Sequence, residues 1–120
     1  MQRYTLKPGT WYACELIGDE FGEDKCSYSP IKIQRVQPGK SGNRRLHLHF
    51  HHANYSEGVR DKVYELTTVE RGASFLLAKS ATHEPPRYLQ IYDITPEWVA
   101  RHFPQHRPDE DIQGWLERHA

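Results

Sequence analysis

Three histidines alternate with apolar residues near the middle of the chain, at positions His47, His49 and His51. Side chains two residues apart on a β-strand project from the same face and lie about 7 Å apart, so two neighbouring imidazoles can share one metal ion. Zinc and iron both accept such ligands. The spacing therefore predicts a metal site made by one His-X-His pair and a further ligand from elsewhere in the fold. The alternative is a histidine-rich surface that responds to pH.

The same part of the chain carries an excess of basic residues. Residues 25–56 contain no aspartate or glutamate, although lysine plus arginine and aspartate plus glutamate both number 16 in the whole chain. Such a local excess indicates an anionic partner, such as a nucleic-acid backbone, a phosphorylated ligand or an acidic protein surface. The candidate ligand-binding residues are Lys32, Arg35, Lys40, Arg44, Arg45 and Tyr55. In the alternative interpretation, these charges balance the acidic segments of the same molecule.

Aromatic side chains beside a basic surface can stack on nucleic-acid bases. Tyrosines that lie on the same face as the basic residues would therefore strengthen the nucleic-acid hypothesis. The candidates are Tyr28, Tyr55, Tyr88 and Tyr92.

Motifs typical of catalysis are few. The loop over residues 37–43 contains Gly-Lys-Ser, as a phosphate-binding P-loop does, but Gln34 occupies the position of the first glycine and a strand follows instead of a helix. The sequence contains no Gly-X-Ser-X-Gly motif, and neither cysteine lies in a motif that activates a thiol. These observations favour a protein without catalytic activity.

The elements that position these residues are short strands. Alternation of apolar and polar residues, interrupted by glycine and proline, is typical of a β-rich fold. In the histidine strand, Leu46, Leu48 and Phe50 are expected to face the core. The predicted strands cover residues 10–17, 30–36, 45–53, 62–71, 74–79 and 88–94.

The hydrophobic period changes after residue 94. Thr95 is a good N-cap and Pro96 suits the first helical position, so a short helix is expected to run to Phe103. A second helix is expected to begin near Asp109, with an apolar stripe that includes Trp115 and that must be buried. We expect this stripe to cover the sheet, and the alternative is a surface for a partner or a second copy. The fold class is therefore α+β, a curved antiparallel sheet or small barrel of five to six strands with two short C-terminal helices.

Length and composition limit the other possibilities. With 120 residues, the chain is expected to form a single domain, 1–120, with a β-rich body over 1–94 and a helical segment over 95–120. No apolar run is long enough to cross a bilayer, and only two cysteines are present, so we expect a cytoplasmic protein. A disulfide between Cys14 and Cys26 is conceivable if the first two strands pair symmetrically about the loop near Glu20.

Three hypotheses of function follow. The first is a non-catalytic binding module that uses the basic hairpin, residues 25–56, to hold an anionic partner. The second is a small zinc- or iron-binding protein or metal-dependent enzyme centred on His47, His49 and His51. The third is a homo-oligomeric structural or adaptor protein that associates through its C-terminal tryptophans.

Overall fold

The computed structural model describes residues 3–18, 26–51, 61–81, 87–107 and 109–119. Six β-strands are followed by two α-helices. The strands are β1 (Trp11–Gly18), β2 (Cys26–Pro38), β3 (Arg44–Phe50), β4 (Asp61–Arg71), β5 (Phe75–Ser80) and β6 (Arg87–Tyr92). Every predicted strand is present, and the bounds differ most at β2, which begins four residues earlier than expected.

The sheet closes on itself. Each strand pairs antiparallel with the next one along the chain, and β6 returns to pair with β1, so the order β1 to β6 forms a closed barrel, hereafter the ring. This confirms the predicted curved antiparallel sheet, with six strands. Each of the six described strands therefore has a hydrogen-bonded neighbour on both sides.

The ring interior is filled by the apolar face of each strand. Leu46, Leu48 and Phe50 all point inward from β3, as the alternation predicted. Tyr4 and Leu6, from the segment before β1, also belong to this core. That segment crosses one end of the ring, since the amide of Tyr4 donates to Gly72 O at 2.9 Å and the amide of Gly9 donates to Ile33 O at 2.6 Å. We call residues 3–10 the closing segment.

Both predicted helices are present and begin at capping residues. Helix α1 spans Pro96–His102, and the Thr95 hydroxyl accepts a hydrogen bond from the amide of Trp98, which confirms the predicted N-cap. Helix α2 spans Ile112–Arg118 and is capped by Asp111, two residues after the predicted start. No helix in the described part of the chain is long and apolar enough to span a membrane.

The helices pack on the outer face of the ring and create a second core. Trp98, Val99, Phe103, Trp115 and Leu116 cover Trp11 and Ala13 of β1. Trp11 and Ala13 point away from the ring interior, yet they are only 2% and 0% exposed. The apolar stripe of the helices is thus buried within the molecule, as expected. The C-terminal tryptophans, which motivated the homo-oligomer hypothesis, pack against β1 of the same chain.

The register between β1 and β2 separates the two cysteines. Cys14 lies opposite Ser29, and Cys26 lies opposite Ile17. The two positions are therefore three residues apart along the strands, or roughly 10 Å, whereas a disulfide needs Cα atoms within about 7 Å. The condition for a cross-strand disulfide is not met, because the register does not centre the connection between the strands on Glu20. Cys14 is a free, buried thiol.

Candidate anion-binding surface

Strands β2 and β3 form a hairpin whose outer face carries most of the predicted site residues. A β-bulge between Ile33 and Arg35 shifts the register, so that Arg35 lies opposite His47 and Gln37 lies opposite Arg45. Bulges bend a strand and redirect its side chains. Here the bulge keeps Ile33 inside the ring and brings Arg35 beside His47. We call the outer face of this hairpin, together with its turn, the hairpin surface.

The turn of the hairpin is held by a side chain from β4. The Glu65 carboxylate accepts from the backbone amide of Lys40 at 2.6 Å and from Arg45 Nε at 3.1 Å. Gly39 makes this approach possible, because a β-carbon at that position would lie 2.2 Å from Glu65 Oε1. Asn43 completes the turn by accepting from the amide of Gly39 at 2.7 Å. The turn that carries Lys40 is therefore fixed at both ends.

Two of the five predicted basic residues form ion pairs with acids from other elements. Lys32 contacts Glu117 of α2 at 2.8 Å, and Arg45 contacts Glu65 at 3.1 Å. Chain segments that are distant in sequence thus supply the carboxylates that residues 25–56 lack. For these two residues, the charge is balanced within the molecule.

The other three basic side chains are not neutralised in this way. Arg35, Lys40 and Arg44 form no ion pair with any residue that the structure describes. Arg35 and Lys40 are exposed, and Arg44 is half-buried. The surface therefore carries three positive charges without an ion pair in its described part, one on the strand and two beside the turn. The Glu65 carboxylate attracts one of them, Lys40, at longer range.

Gln37 links Arg35 to His47. The amide takes the orientation that satisfies both neighbours: its oxygen accepts from Arg35 Nη2 and Nε at 3.0 and 3.1 Å, and its nitrogen donates to His47 Nε2 at 2.8 Å. In this arrangement the ring proton of neutral His47 lies on Nδ1. The contact holds the Arg35 guanidinium on the outer face and uses two of its five N–H groups, which leaves three for a partner.

The three histidines of the predicted metal site have different surroundings. His47 contacts Gln37, whereas His49 Nδ1 contacts Asp61 Oδ1 of β4 at 2.8 Å. His51 points outward like the other two but is only 8% exposed, because α1, α2 and β1 surround its ring with Phe103, Trp115 and Trp11. The alternative of a histidine-rich surface is therefore limited, in this strand, to His47 and His49. Among the described residues, no three His, Cys, Asp or Glu side chains gather as a metal site.

Three carboxylates around the hairpin have lowered pKa values. The Lys40 amide, ahead of the Arg45 guanidinium, lowers the pKa of Glu65. The hydrogen bond with His49 lowers the pKa of Asp61, and the Lys32 ammonium followed by the Trp11 indole lowers that of Glu117. Each carboxylate is therefore ionised at neutral pH. Glu65 places its charge beside the turn, whereas Asp61 and Glu117 place theirs farther along the hairpin, beside His49 and Lys32.

Of the predicted stacking tyrosines, the two whose side chains the structure describes, Tyr88 and Tyr92, do not lie on this surface. Tyr88 and Tyr92 lie on β6, which is across the ring from β3 in the strand order. The Tyr92 hydroxyl donates to Glu15 of β1 at 2.9 Å. Tyr55, and the side chain of Tyr28, lie outside the described residues. The described part of the surface thus offers charge and hydrogen bonds to a partner, without an aromatic platform.

Sequence reasoning missed the acidic partners of the hairpin. Asp61 and Glu65 are four residues apart on β4, so their spacing alone places them on one face, and pairing of β4 with β3 would have brought them to the basic residues. No sequence signal identifies Glu117, which is 85 residues from Lys32. No family model matches the chain, and neither a curated protein nor a solved structure is significantly similar to it.

Proposed function

We propose that the protein is a non-catalytic binding module that holds the phosphate backbone of a nucleic acid on the hairpin surface. The observation that carries the proposal is the set Arg35, Lys40 and Arg44, which has no acidic partner among the described residues while the neighbouring basic residues are paired. Phosphate contacts of this kind come mainly from arginine and lysine side chains and carry little sequence information.

Rigidity of the surface supports the proposal. Glu65 and Asn43 fix the turn that carries Lys40, and Gln37 holds Arg35. Side chains and loops that are already ordered lose less conformational entropy when a partner binds. The surface offers cations, amides and imidazoles, all of which bind anions, and we assign it no reaction.

The test measures binding of a labelled DNA duplex of 20 base pairs by fluorescence anisotropy, at several salt concentrations. The triple variant Arg35→Gln, Lys40→Gln, Arg44→Gln should bind more weakly, and the slope of log affinity against log salt should become shallower by about 2.7, or 0.9 for each lost contact. The matched control replaces three other exposed basic residues by glutamine: Lys79 on β5, Arg101 on α1, and Arg107. It should leave the slope unchanged.

A second arm separates nucleic acid from an acidic protein as the partner. Poly-glutamate presents carboxylates without phosphates and should compete for the labelled duplex only weakly. If poly-glutamate binds more tightly than the duplex and the triple variant abolishes this, the partner is an acidic protein surface and the nucleic-acid proposal is wrong. It is also wrong if wild type does not bind the duplex at 50 mM salt, or if the triple variant binds as wild type does.

A further inference from the structure

We propose a second site that is separate from the hairpin surface: a cleft at one end of the ring that binds a small organic anion with an apolar body. The cleft has a volume of about 870 Å³ and lies between the closing segment, the first residues of β1, the chain after β6 and the start of α2. Ligand-binding cavities in proteins have volumes of about 300–1,000 Å³ and combine apolar walls with a few fixed polar groups.

The walls of the cleft are ordered by hydrogen bonds between distant parts of the chain. The Tyr4 hydroxyl donates to Asp93 Oδ1 at 2.5 Å, which ties the closing segment to the chain after β6. The Gln113 side chain accepts from the amide of Trp11 at 2.7 Å and donates to its carbonyl at 2.8 Å, which ties α2 to β1. The cleft is therefore formed before any ligand arrives, and binding does not need to order it.

The charge on the rim selects for an anion. Arg3 and Lys7 line the cleft and are exposed, and neither forms an ion pair with a residue in the described ranges. Among the described residues that line the cleft, Asp93 carries the one carboxylate, and it accepts a hydrogen bond from Tyr4. Burial, followed by the contact with Asp93, raises the pKa of Tyr4, so this phenol keeps its proton and remains the donor. The cleft thus carries two positive charges, on Arg3 and Lys7, and one carboxylate, Asp93, which is hydrogen-bonded to Tyr4.

The apolar part of the ligand is indicated by the lining and by a neighbouring cavity. Ile94 and Ile112 line the cleft and also line an adjoining pocket of about 260 Å³, which is completed by side chains that include Val99 and Ala100. The two cavities therefore meet at a pair of isoleucines. A ligand whose acidic group lies near Arg3 and Lys7 can place an aromatic or aliphatic body against these residues.

The test uses 8-anilinonaphthalene-1-sulfonate, an aromatic anion that fluoresces on binding, and N-phenyl-1-naphthylamine, the same ring system without the sulfonate. The double variant Arg3→Gln, Lys7→Gln should weaken binding of the sulfonate about tenfold and change that of the uncharged probe less than twofold. Ala73→Trp places a large side chain at an exposed position on the cleft and should weaken both probes. Lys40→Gln with Arg44→Gln should change neither, which separates this site from the hairpin surface.

Each variant is assayed at a temperature well below its cooperative unfolding transition, so that the probes do not report unfolded protein. The proposal is overturned if wild type binds neither probe, or if the double variant binds the sulfonate as wild type does. If the double variant does not fold cooperatively, the salt dependence of binding to wild type is the test instead. Added salt must weaken binding of the sulfonate probe and leave binding of the uncharged probe unchanged. Equal responses to salt would overturn the proposal.

Discussion

Glu65 is the residue through which the hairpin surface can be strengthened. Its carboxylate neutralises Arg45 and holds the turn by accepting from the amide of Lys40. In Glu65→Gln the amide oxygen can still accept from Lys40, whereas the negative charge opposite Arg45 is lost. The variant should therefore keep the turn and add one uncompensated cation to the surface. We therefore expect tighter binding to the duplex. A variant that only disrupted the structure of the surface would bind more weakly.

The size of the gain follows from counterion release. One additional phosphate contact steepens the slope of log affinity against log salt by about 0.9. The gain over wild type should therefore be about 3.5-fold larger at 50 mM than at 200 mM salt. The assay is anisotropy of the labelled duplex at both salt concentrations, with the thermal midpoint recorded to show that the fold is kept.

The control for Glu65→Gln changes the net charge by the same amount at another place. Glu97 is exposed in the first turn of α1, which packs on the outer face of the ring near β1. Glu97→Gln should leave both affinity and slope close to those of wild type. If Glu65→Gln binds as wild type does, or if Glu97→Gln gives an equal gain, the local role of Arg45 is refuted.

Three further predictions concern stability and metal binding. Leu48 is 0% exposed, so Leu48→Ala should lower the free energy of unfolding by about 3 kcal/mol and the thermal midpoint by about 10 °C. His49 points outward, so His49→Ala should lower the free energy of unfolding by under about 1 kcal/mol. The reverse order in a denaturant titration would mean that β3 faces the other way. The lowered pKa of Glu117 contributes stability that is present above the ordinary carboxyl pKa and is lost as pH falls through the folded-state value. Glu117→Gln should therefore lower the midpoint slightly at pH 7 and flatten its decline below about pH 4, as followed by circular dichroism, and an unchanged decline would contradict the role of the contact with Lys32. Calorimetric titration with zinc should show no tight site that depends on His47 or His49, since these two imidazoles contact different partners. Micromolar binding that His49→Ala abolishes would establish the metal hypothesis instead.

Local patterns in the sequence predicted the strands, the direction of their side chains and the helix caps. The alternation of Leu46, Leu48 and Phe50 with histidines is enough to orient β3, because successive side chains on a strand point to opposite faces. Thr95 followed by Pro96 is enough to begin α1, since both act within one helical turn. These features depend on neighbours in the chain, and no knowledge of the tertiary structure is needed.

Features that depend on which elements meet could not be predicted. His51 directly follows β3 and continues its polar face, and only the packing of Trp115 and Phe103 over it explains its burial. The pairing of Lys32 with Glu117 requires the position of α2 on the ring, and the short helices carry no signal for it. The basic segment was visible in the sequence, but the portion of its charge that remains uncompensated was not.

Mapping of the contact by NMR tests the nucleic-acid proposal most directly, because it does not rely on substitutions. Amide resonances of ¹⁵N-labelled protein are followed as an unlabelled DNA duplex is added at 50 mM salt. The largest shifts are expected at Arg35, Lys40 and Arg44, with small changes in α1. Shifts that concentrate away from the hairpin, or no shifts at millimolar duplex, would contradict the assignment of the hairpin surface as the binding site.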